Sequence, residues 1–258
     1  MDAAHAIAAG WKRSRPTDSI RLFPMSDGGD GFGEIIAAAC CAKTQRAETI
    51  NAAGEKIKSI WWWNSDSCIA IIESAKIIGL AMLPPGRFHP FQLDTFGLGK
   101  ILQAAARKGT KTCYIGIGGS ATNDAGFGMA RALGWRFLDK SGEEIHRWTD
   151  LHSLQEIVPP PTKRRLFAKT IVAVDVTNPL LGPRGCTRIY GPQKGLKPED
   201  FHKAESALKR LAAVARKTFG KDYAKIPGAG AAGGLGFAFM AFLGATPKSG
   251  FDIFARHK

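Results

Sequence analysis

The sequence predicts an α/β protein. Residues 20–23 read as a short strand running into the turn Ser26-Asp27-Gly28-Gly29-Asp30-Gly31. An alanine-rich apolar helix over 34–42 follows, giving the strand–glycine turn–helix unit of open α/β sheets. Two further apolar runs, 112–117 and 171–174, read as buried strands, and each ends in small or acidic residues. Strand and helix signals are mixed along the chain, with no internal repeat.

In chain order, 3–11 reads as the end of a helix closed by Gly10. Residues 44–50 and 56–63 are β-like and joined by Asn51-Ala52-Ala53-Gly54-Glu55, a hairpin turn. Trp61-Trp62-Trp63 fits a strand with bulky residues on both faces better than an exposed stacking platform. Residues 68–72 read as a strand, with Glu73 opening a helical turn, and 95–107 as a helix. A further helix starts near Asp124 and runs to Leu133. Pro159-Pro160-Pro161 marks a surface loop. Pro198 occupies the first position of an amphipathic helix carrying Phe201, Ala204, Leu208 and Leu211.

Composition narrows the function classes. The chain has 258 residues, 45% of them hydrophobic, enough to bury a core without disulfides. Five cysteines form no CxxC pair, and six histidines show no HExxH spacing. This argues against a disulfide scaffold or zinc site and for a reducing, cytoplasmic setting. The net charge of +14 favours anionic partners, and the excess is spread over Lys163, Arg164, Arg165, Lys169 and the helix around Lys209 and Arg210. A solvated basic face is the plainer reading, since no nucleic-acid module accompanies it. No basic n-region opens the chain, and the uncharged stretch 228–245 is strongly apolar only over 235–243. It reads as a core helix entered through a glycine loop, without a membrane span.

Four segments carry the candidate chemistry, each placing small or acidic residues between elements, where open sheets bind ligands. Asp27 and Asp30 flank glycines that let a ligand approach the backbone, suited to metal–phosphate handling or hydroxyl activation. An ordinary tight turn is the alternative. Residues 116–124 (GIGGSATND) offer successive amides at a helix start with the Ser120 and Thr122 hydroxyls, an anion site. They also satisfy GxGxxA, with Asp139 near a ribose-binding position, which raises a nicotinamide-dependent oxidoreductase. Asp175, ending a buried strand, is placed to bind Mg²⁺ or accept a hydroxyl proton, and Lys194 to reach a phosphate; an Asx turn closed by Pro179 is the alternative. Residues 228–234 (GAGAAGG) form a glycine loop ahead of the apolar helix. A P-loop, GxxxxGK[ST], is absent.

Read in order, these blocks resemble the glycerate kinase type I family: MSDGGDG at 25–31, GIGGSATNDAGFGMARALG at 116–134, DVTNPLLG at 175–182, YGPQKG at 190–195 and PGAGAAGG at 227–234. The resemblance implies ATP- and Mg²⁺-dependent phosphorylation of D-glycerate, usually to 2-phosphoglycerate, with no nucleic-acid or membrane partner. It implies a two-domain architecture, an incomplete flavodoxin-like domain over 1–50 and a restriction-enzyme-like α/β domain over 51–258. Asp27 and Asp175 are the expected catalytic carboxylates, Asp175 also the metal ligand. Gly118, Gly119, Ser120, Thr122, Asn123, Asp124, Asn178, Lys194, Gly230, Gly233 and Gly234 are the expected substrate or phosphate contacts. The family's Pro-Asp-Ser-(Phe/Tyr)-Lys and Thr-Gly-Glu-Gly-Arg motifs do not occur. The comparison therefore predicts a chain shortened at both ends, with apolar strand edges exposed near 20–42 and an inactive fragment as the alternative to a working kinase.

Overall fold

The computed structural model describes every residue except 1, 23–24, 162–164 and 257–258. Lys163 and Arg164 of the basic run, and Phe23 of the first expected strand, lie outside the described residues. In chain order the elements are α1 (Asp2–Ser14), α2 (Phe32–Ala39), β1 (Lys43–Ile50), β2 (Lys56–Asn64), β3 (Ile69–Glu73), α3 (Ala75–Ile78), α4 (Phe96–Arg107) and β4 (Thr112–Gly116). Then come α5 (Phe127–Ala132), β5 (Arg136–Leu138), β6 (Glu156–Val158), β7 (Lys169–Ala173), α6 (Cys186–Tyr190), α7 (Phe201–Phe219), α8 (Ala231–Leu243), β8 (Thr246–Lys248) and α9 (Gly250–Ala255).

One six-stranded sheet organises the chain in the order β1-β2-β3-β4-β7-β8. Its first three strands are antiparallel, and β3, β4, β7 and β8 run parallel. The β1–β2 hairpin closes through Asn51, whose Oδ1 accepts the N–H groups of Ala53 (2.9 Å) and Glu55 (3.0 Å), while Gly54 supplies the left-handed residue (φ 80°). β1 and β2, which lie on the two sides of the boundary that the sequence reading places between 50 and 51, pair from Lys43 with Trp63 to Ile50 with Lys56.

Side-chain alternation along the strands separates two cores. Trp62, Ile71, Tyr114 and Ile171 pack with Phe32 and Ile36 of α2 and with Ile253 and Phe254 of α9. Trp61, Ile72, Ile115 and Val172 face the larger core, filled by Leu98, Ile101 and Leu102 of α4, Leu208 and Leu211 of α7 and most of α8. The tryptophan run is thus a strand with bulky residues on both faces. The apolar stretch before residue 245 is a buried helix, and among the described residues no helix is long and apolar enough to cross a membrane.

Two local readings need correction. Residues 20–22 form no strand, so the expected strand–turn–helix unit keeps only its turn and helix. Helix α1 also runs through Gly10 to Ser14, since Gly10 does not take the left-handed conformation that ends a helix. This helix leaves Ile7 72% and Trp11 53% exposed, and Met25 in the loop after it is 58% exposed.

Candidate active site

Parallel register places Glu73, Gly116 and Ala173, the last residues of β3, β4 and β7, side by side at one sheet edge. The loops leaving this edge enclose a cleft of about 280 Å³. Its walls come from three of the glycine-rich segments, held together by contacts only glycine permits. A Cβ on Gly118 would lie 2.5 Å from Gly29 Cα, and one on Gly28 (φ 99°) would lie 2.7 Å from Ala173 Cβ. The N–H of Gly118 donates to Gly28 O at 3.0 Å, locking the first two loops edge to edge.

The third loop docks on the second. Residues 232–234 are all left-handed, and a Cβ on Gly233 would sit 1.9 Å from Thr122 O. Ala125 N donates to Gly233 O at 3.0 Å, and Ser120 Oγ to Ala232 O at 3.0 Å. Ala232 adopts this conformation without the freedom of glycine (φ 53°), a strained residue on the cleft wall.

Lys194 reaches this junction from a short 3-10 turn after α6. Its ammonium donates to Ser120 Oγ (3.1 Å) and Thr122 O (2.6 Å), and the residue is 6% exposed. Burial pushes its pKa down to about 8, against the attraction of Cys186 and Asp124. Asp27 and Asp175 line the same cleft and are exposed. Asp27 Oδ1 accepts Gly29 N at 2.9 Å, and the Asp175 carboxylate accepts Gly250 N at 3.0 Å. Partial burial raises the Asp175 pKa above the usual carboxylate range, and repulsion from Asp27 and Asp252 adds to it.

Of the residues the sequence singled out, Asp27, Gly118, Gly119, Ser120, Asp175 and Lys194 meet in the cleft. The others stand behind it. Thr122, Asn123 and Asp124 are fully buried. Asn123 Nδ2 donates to Thr187 Oγ1 at 3.0 Å. Asn178 bridges the Tyr190 hydroxyl (2.7 Å) and Arg184 O (2.8 Å), shaping the loop that follows Asp175. Gly230 donates its N–H to Asn178 O at 2.9 Å, and Gly234 packs on Ala125.

The helix-terminus anion site expected at 116–124 is not formed. Asp124 accepts from Thr95 N, Thr95 Oγ1, Gly126 N and Gly128 N at 2.8–3.1 Å, so the start of α5 is already capped by this buried carboxylate. Burial and the neighbouring Asp94 raise the Asp124 pKa to about 6. Lys194 and residues 118–120 line the cleft instead. The dinucleotide reading fails on topology. The glycines of 116–121 do not open a helix, since α5 begins only at Phe127, and β4 reaches its parallel neighbour β7 only after the antiparallel pair β5–β6, so the compact strand–glycine loop–helix–strand unit is not formed. Asp139 is spent on its own turn, accepting from Ser141 and Glu143.

Sequence reasoning missed two supports. Glu73, 1% exposed, accepts Gly33 N at 2.8 Å from beneath the Asp27 turn, and its other oxygen is buried without a hydrogen-bond partner. Gly250 orients Asp175; a Cβ there would lie 2.2 Å from Ser26 O. The signals were an acid ending a buried strand and a lone glycine after Ser249, neither of which names a partner.

A cleft at the carboxyl ends of parallel strands, with glycine walls, a buried ammonium and two carboxylates, is the arrangement of an α/β enzyme. The glycerate kinase family profile matches residues 1–258, and the chain belongs to that family, whose members are phosphotransferases. It is 39% identical over 254 residues to glycerate 2-kinase of Escherichia coli K12, covering 98% of this chain and 67% of that protein. It is 37% identical over 255 residues to glycerate kinase of Halalkalibacterium halodurans, with the same coverage. A crystal structure assigned to glycerate kinase 2 of Salmonella typhimurium LT2 superposes with a TM-score of 0.86 at 34% identity, covering 98% of this chain and 68% of that one. The chain thus spans about two thirds of the length of these relatives.

Proposed function

We propose that this chain phosphorylates D-glycerate with ATP, giving 2-phosphoglycerate, in the cytoplasm. The observation that carries the reading is the pairing, in one cleft, of Asp27 and Asp175 with the buried Lys194. The E. coli relative is named for transfer to the 2-position, which supports the choice of hydroxyl.

The donor set fits a magnesium ion. Asp27 and Asp252 both repel Asp175, and among the described residues no group of three or more acids, histidines or cysteines forms a protein cage for an ion. Two carboxylates that leave the remaining positions to water and phosphate oxygens suit Mg²⁺, which keeps several waters and binds phosphates. When bound, the ion would neutralise charge on the transferring phosphoryl group. The chain's own residues do the positioning. Gly250 N is shared by both Asp175 oxygens (3.0 and 3.3 Å), Gly29 N fixes Asp27 through Oδ1, and the carboxylates have lone pairs left for a substrate hydroxyl proton. Lys194 and the Gly119–Ser120 backbone hold negative charge in place.

The test is a coupled assay of ATP consumption with D-glycerate, the product identified by phosphorus NMR. Wild-type turnover with a 2-phosphate product is the expected result, and Asp27→Ala and Asp175→Ala should each lose at least about 100-fold in kcat. Full turnover by either variant would remove that residue from the mechanism. Absence of turnover by the wild-type chain would refute the activity.

A further inference from the structure

Lys194 is a buried cation with no acid paired to it. Asp124, whose field reaches it, is already committed to four donors, and no salt bridge to Lys194 occurs among the described residues. Burying an ammonium is costly unless an opposite charge and hydrogen bonds compensate it. Two of its three N–H groups are used, on Ser120 Oγ and Thr122 O. The third remains for the cleft that the side chain lines. The site is therefore built for an anion that is not part of the protein.

We infer that the cleft is polarised, with Lys194 receiving the carboxylate of the sugar acid while the Asp27–Asp175 wall marks the end where the phosphoryl group arrives. This rests on the activity proposed above and deepens it. Charge decides between carboxylate and nucleotide phosphate at Lys194. Among the described residues lining the cleft, Lys194 is the sole cationic side chain, against the two carboxylates. Lys194 is held by Ser120 and Thr122, whereas Asp27 is held by Gly29 and Asp175 by Gly250, so different segments hold the two poles. A triphosphate meets one point charge at the Lys194 pole, with no arginine fork to spread several negative charges. A monoanionic carboxylate matches a single ammonium with one free N–H.

Size agrees. About 280 Å³ lies at the lower end for small-molecule sites and suits a three-carbon hydroxy acid, with a nucleotide approaching from the open side. The Lys194 pole is closed by the Ser120–Ala232 hydrogen bond and the glycine loop behind it. Specificity for hydroxy acids over neutral polyols follows, because a neutral acceptor would leave the buried ammonium uncompensated.

The experiment measures D-glycerate and MgATP binding separately by calorimetry, on wild-type chain and on Lys194→Met, with circular dichroism confirming folding. Glycerate affinity should fall about 10- to 100-fold, the worth of a hydrogen bond to a charged group, with MgATP affinity within about threefold of wild type. The wild-type preference for glycerate over glycerol should disappear in the variant. If Lys194→Met does not fold, Lys194→Gln supplies an uncharged N–H donor on a side chain one atom shorter and is read in the same way. Unchanged glycerate affinity, or a loss confined to MgATP, overturns the assignment. Lys194-dependent glycerate binding without turnover would support this polarity while sinking the kinase activity. Turnover with a glycerate KM indifferent to Lys194 would do the reverse.

Discussion

Replacing Gly118 by Ala tests whether the two cleft loops are held at the spacing catalysis needs. The new Cβ would lie 2.5 Å from Gly29 Cα, 3.0 Å from Gly29 N and 3.2 Å from Gly28 O, whereas ordinary contact begins near 3.4 Å. Every one of these atoms is backbone, so no side chain can swing away. Gly29 must retreat by about 0.9 Å, and Asp27 moves with it, because its carboxylate is held by the Gly29 N–H. A misplacement of about 1 Å at a reacting group costs about 100-fold in rate. The same clash should lower stability by about 1–3 kcal/mol, as overpacking does elsewhere, or about 2–4 °C in Tm for each kcal/mol. Steady-state kinetics and a thermal melt read the two effects separately. Gly142→Ala serves as control for backbone strain away from the cleft: unlike Gly118, Gly142 has positive φ (83°), but it lies in an open turn with nothing within 4 Å, and the change should leave kcat unchanged. A Gly118→Ala enzyme with kcat within threefold of wild type would show that the loop contact does not position Asp27.

Three further outcomes are expected. Because burial holds the Lys194 pKa near 8, with Asp124 ionised and Cys186 pushed up to about 12 beside it, the ammonium loses its proton as pH rises through 8. The glycerate KM should then climb about tenfold per pH unit between 8 and 10, and a flat profile over that range would count against a charged Lys194 as the receptor. Asp124→Ala strands four donors around a fully buried site and should cost about 4 kcal/mol or more in urea unfolding; a loss below about 1 kcal/mol would contradict the capping role. The Glu73 pKa is raised, mainly by burial, so its folded state binds a proton more tightly than the unfolded chain, and ionising it costs stability as pH rises above the usual carboxylate range. Glu73→Gln keeps an acceptor for Gly33 N, so its stability relative to wild type should improve between pH 4 and 7; a constant difference across that window would refute this.

Local patterning was enough for elements whose signal is contained within a few residues. The hairpin around Asn51 was legible because one side chain closes its own turn, and the tryptophan strand because period-two alternation sends Trp61 and Trp62 to opposite cores. The apolar run in α8 declared burial by composition alone. Residues 20–22 failed because a short apolar run carries no information on whether a sheet edge is available to pair with it. Gly10 failed because glycine permits a helix end without requiring one.

The order of glycine blocks identified the family and placed Asp27, Ser120, Asp175 and Lys194 among the candidate residues before any contact was known. Which of those residues face the cleft was decided only by the tertiary structure. Asp124 stands in the same motif as Ser120, yet one turns inward to cap α5 and the other outward to Lys194. That division comes from contacts across long sequence separations: 74 residues between Ser120 and Lys194, 75 between Asp175 and Gly250, and 40 between Gly33 and Glu73. Burial, charge pairing and pKa are properties of those meetings. A linear sequence lists the partners, and packing selects which of them touch.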